Sequence, residues 1–147
     1  MIEGVSLTKL KIIPGDSGDV LHAMKRTESS FLGFGEAYFS TIRKDAVKAW
    51  KRHRKMTLNL VVPCGKIKIV LYDERNNSPS CGEIFEITLS RNNYQRLTVP
   101  PLVWMGFKGM DNDLNMLLNI ADMTHDPDEI DRVEAYKSHI GYSWDVS

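Results

Sequence analysis

The 147-residue chain is long enough to bury a sizeable core, and its 42% hydrophobic and 26% charged residues are ordinary for a globular protein. Lysine plus arginine and aspartate plus glutamate each number 19, so the formal net charge is zero and gives no support to nucleic acid or a membrane surface as a partner. No signal peptide and no apolar run near the roughly 18 residues of a membrane span is evident, so we expect a cytoplasmic protein.

Short alternating segments separated by turn residues predict a chain built from strands. The predicted strands are 7–13, 20–25, 34–42, 47–50, 56–62, 66–72, 84–89, 96–99 and 116–121. The clearest alternation places Ile67, Ile69 and Leu71 on one face of a strand. So many short strands indicate a sandwich or a barrel and exclude a parallel α/β fold.

One short helix is predicted near the C-terminus, over residues 126–137. Asp126 suits the N-cap and Pro127 suits the first helical position. Asp128 and Glu129 would complement the positive end of the helix dipole. The expected fold class is therefore all-β with a short C-terminal helix.

A histidine in a cationic run supplies the candidate chemistry. Lys51, Arg52, Arg54 and Lys55 surround His53 in the sequence. Positive neighbours lower the pKa of an imidazole and keep it neutral, as a general base must be. Because the open end of a barrel is a common ligand site, His53 at such a mouth suits an anionic ligand with an acidic C–H bond.

Other polar residues are predicted to face the same cavity. Tyr38 is the candidate acid, because it projects from a predicted inner face together with Glu36 and Ser40. Glu36 is also the nearest candidate for a carboxylate that orients His53. The predicted substrate-binding residues are Glu36, Ser40, Lys51, Arg52, Arg54, Lys55, Asn59 and Trp104.

We expect neither a metal nor a cofactor. The cations beside His53 would repel a divalent ion, and no second histidine or carboxylate follows at ligand spacing. Cys64 and Cys81 match neither a zinc motif nor a disulfide framework, so they are expected to be free thiols. A dinucleotide-binding fingerprint and a P-loop are absent from the sequence.

Several motifs resemble, in their order, those of the cupin enzymes that act on nucleotide-linked 4-keto sugars. Lys51-Arg52-His53 is similar to the Arg-Gly-Leu-His segment of the dTDP-4-dehydrorhamnose 3,5-epimerases. Further similar segments are 15–19, 89–93, 97–101, 104–107 and 139–144. Residues 117–122 instead resemble the final core strand of the dTDP-sugar 3,4-ketoisomerases. The resemblance implies one cupin-type jelly-roll domain over 1–147, a nucleotide-diphosphate sugar as ligand, and a homodimer.

The same resemblance implies an epimerase that removes a proton beside the carbonyl of a 4-keto-6-deoxy sugar nucleotide, in surface polysaccharide or deoxysugar biosynthesis. A 3,4-ketoisomerase on the same substrate class remains an alternative, and so does a non-catalytic cupin that binds a sugar nucleotide. The epimerase tyrosine aligns near Leu118, and the aspartate that orients the base aligns near Lys137. His53 is thus the one family catalytic residue that this sequence retains.

Overall fold

The computed structural model describes residues 1–145, and its regular structure is almost entirely β-strand. The strands are β1 (Ser6–Lys9), β2 (Ile12–Ile13), β3 (Val20–Leu21), β4 (Glu36–Ile42), β5 (Val47–His53), β6 (Leu58–Cys64), β7 (Lys66–Asp73), β8 (Ile84–Ser90), β9 (Gln95–Val99), β10 (Val103–Gly109), β11 (Asn115–Ala121) and β12 (Ile130–Arg132). They form two five-stranded sheets, ordered β1-β9-β6-β11-β4 and β12-β5-β10-β7-β8, beside a small β2-β3 hairpin. Every strand pair is antiparallel, and the predicted all-β jelly roll is confirmed.

The main core lies between the two sheets. Leu60 and Leu97 reach it from the first sheet, and Ile69 and Met105 reach it from the second. These side chains follow the two-residue period of a strand, so one face of each sheet is apolar. The alternation predicted for Ile67, Ile69 and Leu71 is confirmed, because all three are buried in this core.

A second cluster covers the outer face of the β5-β10 pair. Trp50 and Trp104 project to that side and pack with Ile140 and Trp144 of the C-terminal segment. The close approach requires Gly106, because a Cβ atom there would lie 2.5 Å from Cβ of Ala49 and 2.7 Å from a ring carbon of Trp144. The C-terminal segment therefore fixes the sheet from outside and leaves its inner face to the cavity.

The predicted helix over 126–137 is wrong in extent, because the structure has only one 3-10 turn, Pro127–Glu129. The N-cap prediction is confirmed, since the Asp126 side chain accepts a hydrogen bond from the Asp128 amide. Strand β12 follows immediately and pairs with the edge of β5. Short helices are marginal in isolation, so pairing with an open sheet edge outweighs the local helix signals.

The strand predictions also needed correction. The predicted 7–13 strand is divided into β1 and β2, and the predicted 20–25 strand is only the two-residue β3. Strand β10 was not predicted because Pro100-Pro101 precedes it and all seven of its residues are buried, which removes the alternating pattern. Strand β5 continues to His53, three residues beyond the predicted end at residue 50, so the start of the cationic run lies in a strand. Both cysteines are free thiols, as predicted. Within residues 1–145 there is no helix long and apolar enough to cross a membrane.

Candidate active site

A cavity of about 560 Å³ opens between the sheets, next to the main core. Its walls are largely apolar, with Leu58, Leu60, Met105, Phe107 and Leu117 among the lining residues. Polar groups are few, and they come from β4, β5, β11 and the segment that begins at the end of β12. They are Tyr38, Ser40, Lys48, Lys51, Asn119, Arg132 and Glu134. An apolar hollow with a few convergent polar groups is the usual form of a small-molecule site.

His53 ends strand β5 with its side chain directed inward. Its neighbour Arg52 points outward, where its guanidinium stacks 4.6 Å from the centre of the Trp104 ring. Because side chains alternate along a strand, His53 and Lys51 lie on the opposite, inner face. The imidazole is only 4% exposed, and its Nε2 has no hydrogen-bond partner among residues 1–145. This ring nitrogen is therefore unpaired in the part of the chain that the structure describes, and it is enclosed by protein atoms.

Glu129 holds the other side of the same imidazole. Its Oε1 is hydrogen-bonded to Nδ1 of His53. Its Oε2 accepts hydrogen bonds from the amides of Lys55 at 3.1 Å and Met56 at 3.2 Å. Burial alone would raise the pKa of Glu129, but these hydrogen bonds from His53 and the two amides lower it below its ordinary value. An ionised Glu129 only accepts, so Nδ1 of His53 is the donor and Nε2 carries the lone pair.

The pKa of His53 is lowered from its ordinary value. Burial is the main cause, and the charges of Lys51 and Arg132 act in the same direction against the opposing effect of Glu129. The sequence predicts the direction of this shift from the cationic neighbours, whereas burial is the larger cause. The imidazole is therefore neutral at pH 7, which is the state that a base requires.

His53 itself does not line the cavity. Lys51 does, and the two side chains are two residues apart on one strand face, a spacing of roughly 7 Å. The His53 side chain is thus the next one after Lys51 on the inner face of β5, and only Lys51 reaches the cavity.

Tyr38 and Ser40 line the opposite wall, where β4 is the edge strand of the first sheet. Tyr38 is paired with Asn119 of β11, and the Asn119 amide nitrogen donates a hydrogen bond to the Tyr38 hydroxyl at 3.1 Å. That donation leaves the phenolic proton of Tyr38 free to be given to a ligand. The hydroxyl and His53 therefore belong to different sheets.

Three cations line the cavity on the side of β5. Lys51 and Arg132 are register partners across the β5-β12 pair, and Lys48 lies three residues before Lys51 on β5. The Lys48 amine donates to the backbone carbonyl of Thr41 at 2.8 Å. Burial, followed by the charge of Arg132, lowers the pKa of Lys51. This wall attracts an anionic ligand.

Other predicted binding residues have partners on the outside of the second sheet. The Arg52 guanidinium bonds to Asp131 at 2.8 Å, and Arg54 bonds to the same carboxylate at 2.6 Å. The indole N–H of Trp104 donates to Glu74 at 2.8 Å beneath the C-terminal segment. These three side chains make an outer network rather than a wall of the cavity.

The remaining predicted residues are also outside the lining. Asn59 lies on the other face of β6 from Leu58 and Leu60, and its side-chain oxygen accepts from Arg96 and Thr98. Lys55 is exposed beyond the end of β5, and Glu36 begins β4 without contacting His53. Of the ten predicted site residues, the structure brings Tyr38, Ser40 and Lys51 to the cavity, with His53 beside them.

Sequence reasoning missed Glu129, Asn119 and Arg132. The sequence places Glu129 in the first turn of the predicted helix, where its charge complements the dipole, and makes Glu36 the nearest candidate carboxylate for His53. The one available signal was an acidic residue close to a Pro-containing turn, which does not reveal a partner 76 residues away. No group of three or more metal-ligating side chains occurs in the part of the chain that the structure describes.

Comparison with known proteins supports one family. The family model for dTDP-4-dehydrorhamnose 3,5-epimerase matches residues 2–147. A crystal structure of a dTDP sugar isomerase from Desulfovibrio desulfuricans G20 is 39% identical, with a TM-score of 0.96 over 99% of this chain and 94% of that one.

Two curated relatives agree with this assignment. The spore coat polysaccharide biosynthesis protein SpsL of Bacillus subtilis is 27% identical over 99% of this chain and 98% of its own length. A probable low-salt glycan biosynthesis epimerase of Haloferax volcanii is 32% identical over 97 residues, which span 63% of this chain and 62% of that protein's length. The chain belongs to the dTDP-4-dehydrorhamnose 3,5-epimerase family, as its sequence motifs predicted.

Proposed function

We propose that the protein is an epimerase that acts on a 4-keto-6-deoxy sugar nucleotide, in deoxysugar or surface polysaccharide biosynthesis. The observation that carries the proposal is the buried His53–Glu129 pair, whose free Nε2 lies beside a cavity walled by cations. A hydrogen on carbon next to a ketone is acidic enough for an imidazole to remove when the resulting enolate is stabilised.

His53 is the proposed base. Glu129 fixes the tautomer that leaves the lone pair on Nε2, and burial keeps the ring neutral. Because Nε2 lies beyond the cavity lining, the sugar must enter past Lys51 to reach it. The proton taken from carbon would convert His53 to an imidazolium, which the ionised Glu129 stabilises.

Tyr38 is the proposed acid. Epimerisation returns a proton to the face opposite the one from which it was removed, so acid and base must lie on different sides of the ring. Tyr38 belongs to the first sheet and His53 to the second, and Asn119 orients the phenol. Ser40, two residues along β4, is the proposed hydrogen-bonding partner for a sugar hydroxyl.

Lys48 and Arg132 are the proposed sources of positive potential for the diphosphate and for the enolate oxygen. Lys51 stands between them as the proposed contact to the reacting end of the sugar. Arg52, Arg54 and Trp104 are bonded to Asp131 or Glu74 outside the cavity, so we do not propose that they contact the ligand.

The proposal includes a single cytoplasmic domain over 1–147 that forms a homodimer. Strand β4 is an edge strand beside the cavity, and Phe39 on its outer face is 62% exposed. Phe34 and Leu32 just before it are equally exposed, so the edge presents an apolar surface that a second copy would cover. Light scattering at micromolar concentration should give twice the monomer mass.

Incubation of a 4-keto-6-deoxy sugar nucleotide with the protein in heavy water tests the activity. We expect deuterium at carbon next to the carbonyl and an inverted configuration, both lost in His53→Asn. A shifted carbonyl would instead identify a ketoisomerase. Binding without exchange would identify a non-catalytic cupin. This second candidate function is favoured by one observation, namely that His53 is not among the residues that line the cavity.

A further inference from the structure

The side-chain oxygen of Asn119 is the unusual atom of the cavity wall. Asn119 lines the cavity from β11 and is only 3% exposed. Its amide nitrogen donates to the Tyr38 hydroxyl at 3.1 Å, yet its Oδ1 is buried and has no hydrogen-bond partner among residues 1–145. Buried polar atoms are almost always paired, so an orphaned carbonyl oxygen beside the proposed acid needs a chemical explanation.

The strand neighbours of Asn119 explain which end of the amide faces Tyr38. The two residues are register partners across the β4-β11 pair, and Leu60 is opposite Asn119 on β6. Leu117 and Ala121 are the next side chains on the same face of β11, so the other strand neighbours are apolar. Turning the amide over would place two N–H donors where one oxygen lies now. Orphaned buried N–H groups are rarer in proteins than orphaned carbonyls, so the orientation that donates to Tyr38 is favoured.

The orientation of this amide sets the direction of the Tyr38 proton. A phenol that accepts from Asn119 keeps its own O–H for another acceptor, and within residues 1–145 the Tyr38 hydroxyl has no second partner. Because Tyr38 lines the cavity, that O–H is directed to whatever fills the cavity. With the Asn119 oxygen toward the phenol, the O–H would instead be held against the cavity wall.

We propose that Asn119 is a positioning residue that turns the Tyr38 O–H toward the enolate and thereby decides which face of the enolate is protonated. This inference rests on the proposed function, because it needs an enolate in the cavity. His53 removes the proton from carbon and becomes an imidazolium. Tyr38 gives its own proton to the opposite face of the same carbon and becomes a phenolate, to which the Asn119 N–H stays bonded. One proton lost by His53 to water and one taken by Tyr38 from water restore the starting state.

Asn119 should therefore control how the enolate divides between inversion and return. Without a proton from Tyr38, the enolate recovers one from His53 on its original face, which gives back the starting sugar. In heavy water, return leaves deuterium in the starting sugar, whereas inversion leaves deuterium in the product. The ratio of inverted product to deuterated starting sugar thus reports delivery of the Tyr38 proton, separately from the rate at which the enolate forms.

Nuclear magnetic resonance of the sugar after incubation in heavy water measures this ratio. Asn119→Asp at pH 8 replaces the donor with a carboxylate of equal size that takes the Tyr38 O–H, so the ratio should fall at least about 10-fold. The same change in a Tyr38→Phe protein should have no further effect, because the proton that Asn119 directs is missing. Asn92→Asp, which makes the same change at an exposed site, should keep the wild-type ratio. Thermal unfolding of each variant checks that it is folded.

A wild-type ratio in folded Asn119→Asp protein, or an equal fall with and without the Tyr38 hydroxyl, overturns the inference and leaves the proposed function intact. If Asn119→Asp does not fold, Asn119→Leu removes the donor without adding charge and should lower the ratio by about 3-fold or more. If wild-type protein exchanges no deuterium, the proposed function fails, and the side-chain amide resonances of the free protein then decide. An Asn119 amide proton that moves upfield in Tyr38→Phe supports the donating orientation, and an unmoved one overturns it.

Discussion

Glu129 binds Nδ1 of His53 across 76 residues of sequence, and the two belong to a 3-10 turn and to the end of β5. The contact exists only because β12 docks on the edge of β5, with Ile130 opposite His53. The orientation of the proposed base is thus set by the C-terminal part of the chain.

Glu129→Gln should lower kcat by about 100-fold or more, because the neutral amide holds the imidazole less firmly and does not stabilise its charged form. Glu129 raises the pKa of His53 against the effect of burial. Its removal should therefore move the acid limb of the kcat/KM profile to lower pH.

Asp128→Asn is the matched control, since Asp128 is exposed and one residue away. It should leave both kcat and the pH profile close to wild type. A Glu129→Gln enzyme with normal turnover and an unshifted profile would show that Glu129 does not position the base.

Stability should depend on pH through His53. Its pKa is lowered on folding, so the unfolded chain binds more protons between that lowered value and the ordinary value of about 6.5. The free energy of unfolding should accordingly decrease as the pH falls from about 6.5 through the folded pKa.

Urea unfolding at pH 7.5 and pH 5.5 measures this decrease. His53→Asn removes the titrating group, so its loss of stability between the two pH values should be smaller than that of wild type. Equal losses in the two proteins would show that burial of His53 makes no contribution to acid sensitivity.

Tyr38→Phe should separate proton removal from proton return. Among residues 1–145 the Tyr38 hydroxyl is bonded only to Asn119, and the residue is 37% exposed, so the fold should tolerate the change. With His53 intact, solvent deuterium should still enter the sugar, whereas formation of the inverted product should fall by about 100-fold. Nuclear magnetic resonance of the product measures both, and undiminished inversion would remove Tyr38 from the acid role.

Buried Arg96 should be important for stability rather than for chemistry. Its guanidinium has no exposed surface and bonds to Glu28 at 2.5 Å, Ser30 at 2.6 Å and the Ala23 carbonyl at 2.7 Å. Arg96→Ala should destabilise the protein by about 3 kcal/mol, since it leaves these polar groups and Asn59 without their partner.

Arg91→Ala provides the comparison, because its ion pair with Asp19 is half exposed. Such a pair contributes roughly 0–1 kcal/mol, so the midpoint of denaturant unfolding should hardly move. Similar losses for the two variants would mean that the buried Arg96 network is not a stabilising feature.

The fold class could be predicted from the sequence because most strands show the two-residue alternation of apolar side chains. Ile67, Ile69 and Leu71 recur at every second position, and all three are buried in the main core, as predicted. The opposite face of β7 is buried as well, because Val70 packs in the second cluster. Where burial is complete, as along β10, the alternation vanishes and the strand was missed. The helix signals at 126–129 produce a capped 3-10 turn. The residues that follow do not continue the helix, because they pair with the edge of β5 as strand β12.

The candidate site was less predictable because it depends on contacts between distant strands. Tyr38 and Ser40 were found because inner-face positions follow from the strand period, and Lys51 was found because it lies in the cationic run around His53. Arg52 and Trp104 were misjudged because both project from the outer face of the second sheet. There Trp104 packs with Ile140 and Trp144, and the Arg52 guanidinium stacks on the Trp104 ring. Glu129 had no local signal at all.

Arg132 should contribute to ligand affinity through its charge. It lines the cavity as the register partner of Lys51, and its exposed position makes it suited to a diphosphate. Arg132→Ala should raise the Kd for a thymidine diphosphate sugar by about 5–10-fold, an effect that shrinks at high salt because added ions screen exposed charges.

Titration calorimetry at low and high salt measures the change, and Lys137→Ala is the control because it removes an equal charge from an exposed position outside the cavity lining. Thermal shift with thymidine, uridine, guanosine and cytidine diphosphate sugars first identifies the nucleotide, since a ligand at 100 times its Kd stabilises by about 2.7 kcal/mol. Equal affinity of the Arg132→Ala and Lys137→Ala proteins for that ligand would exclude the Arg132 charge from binding.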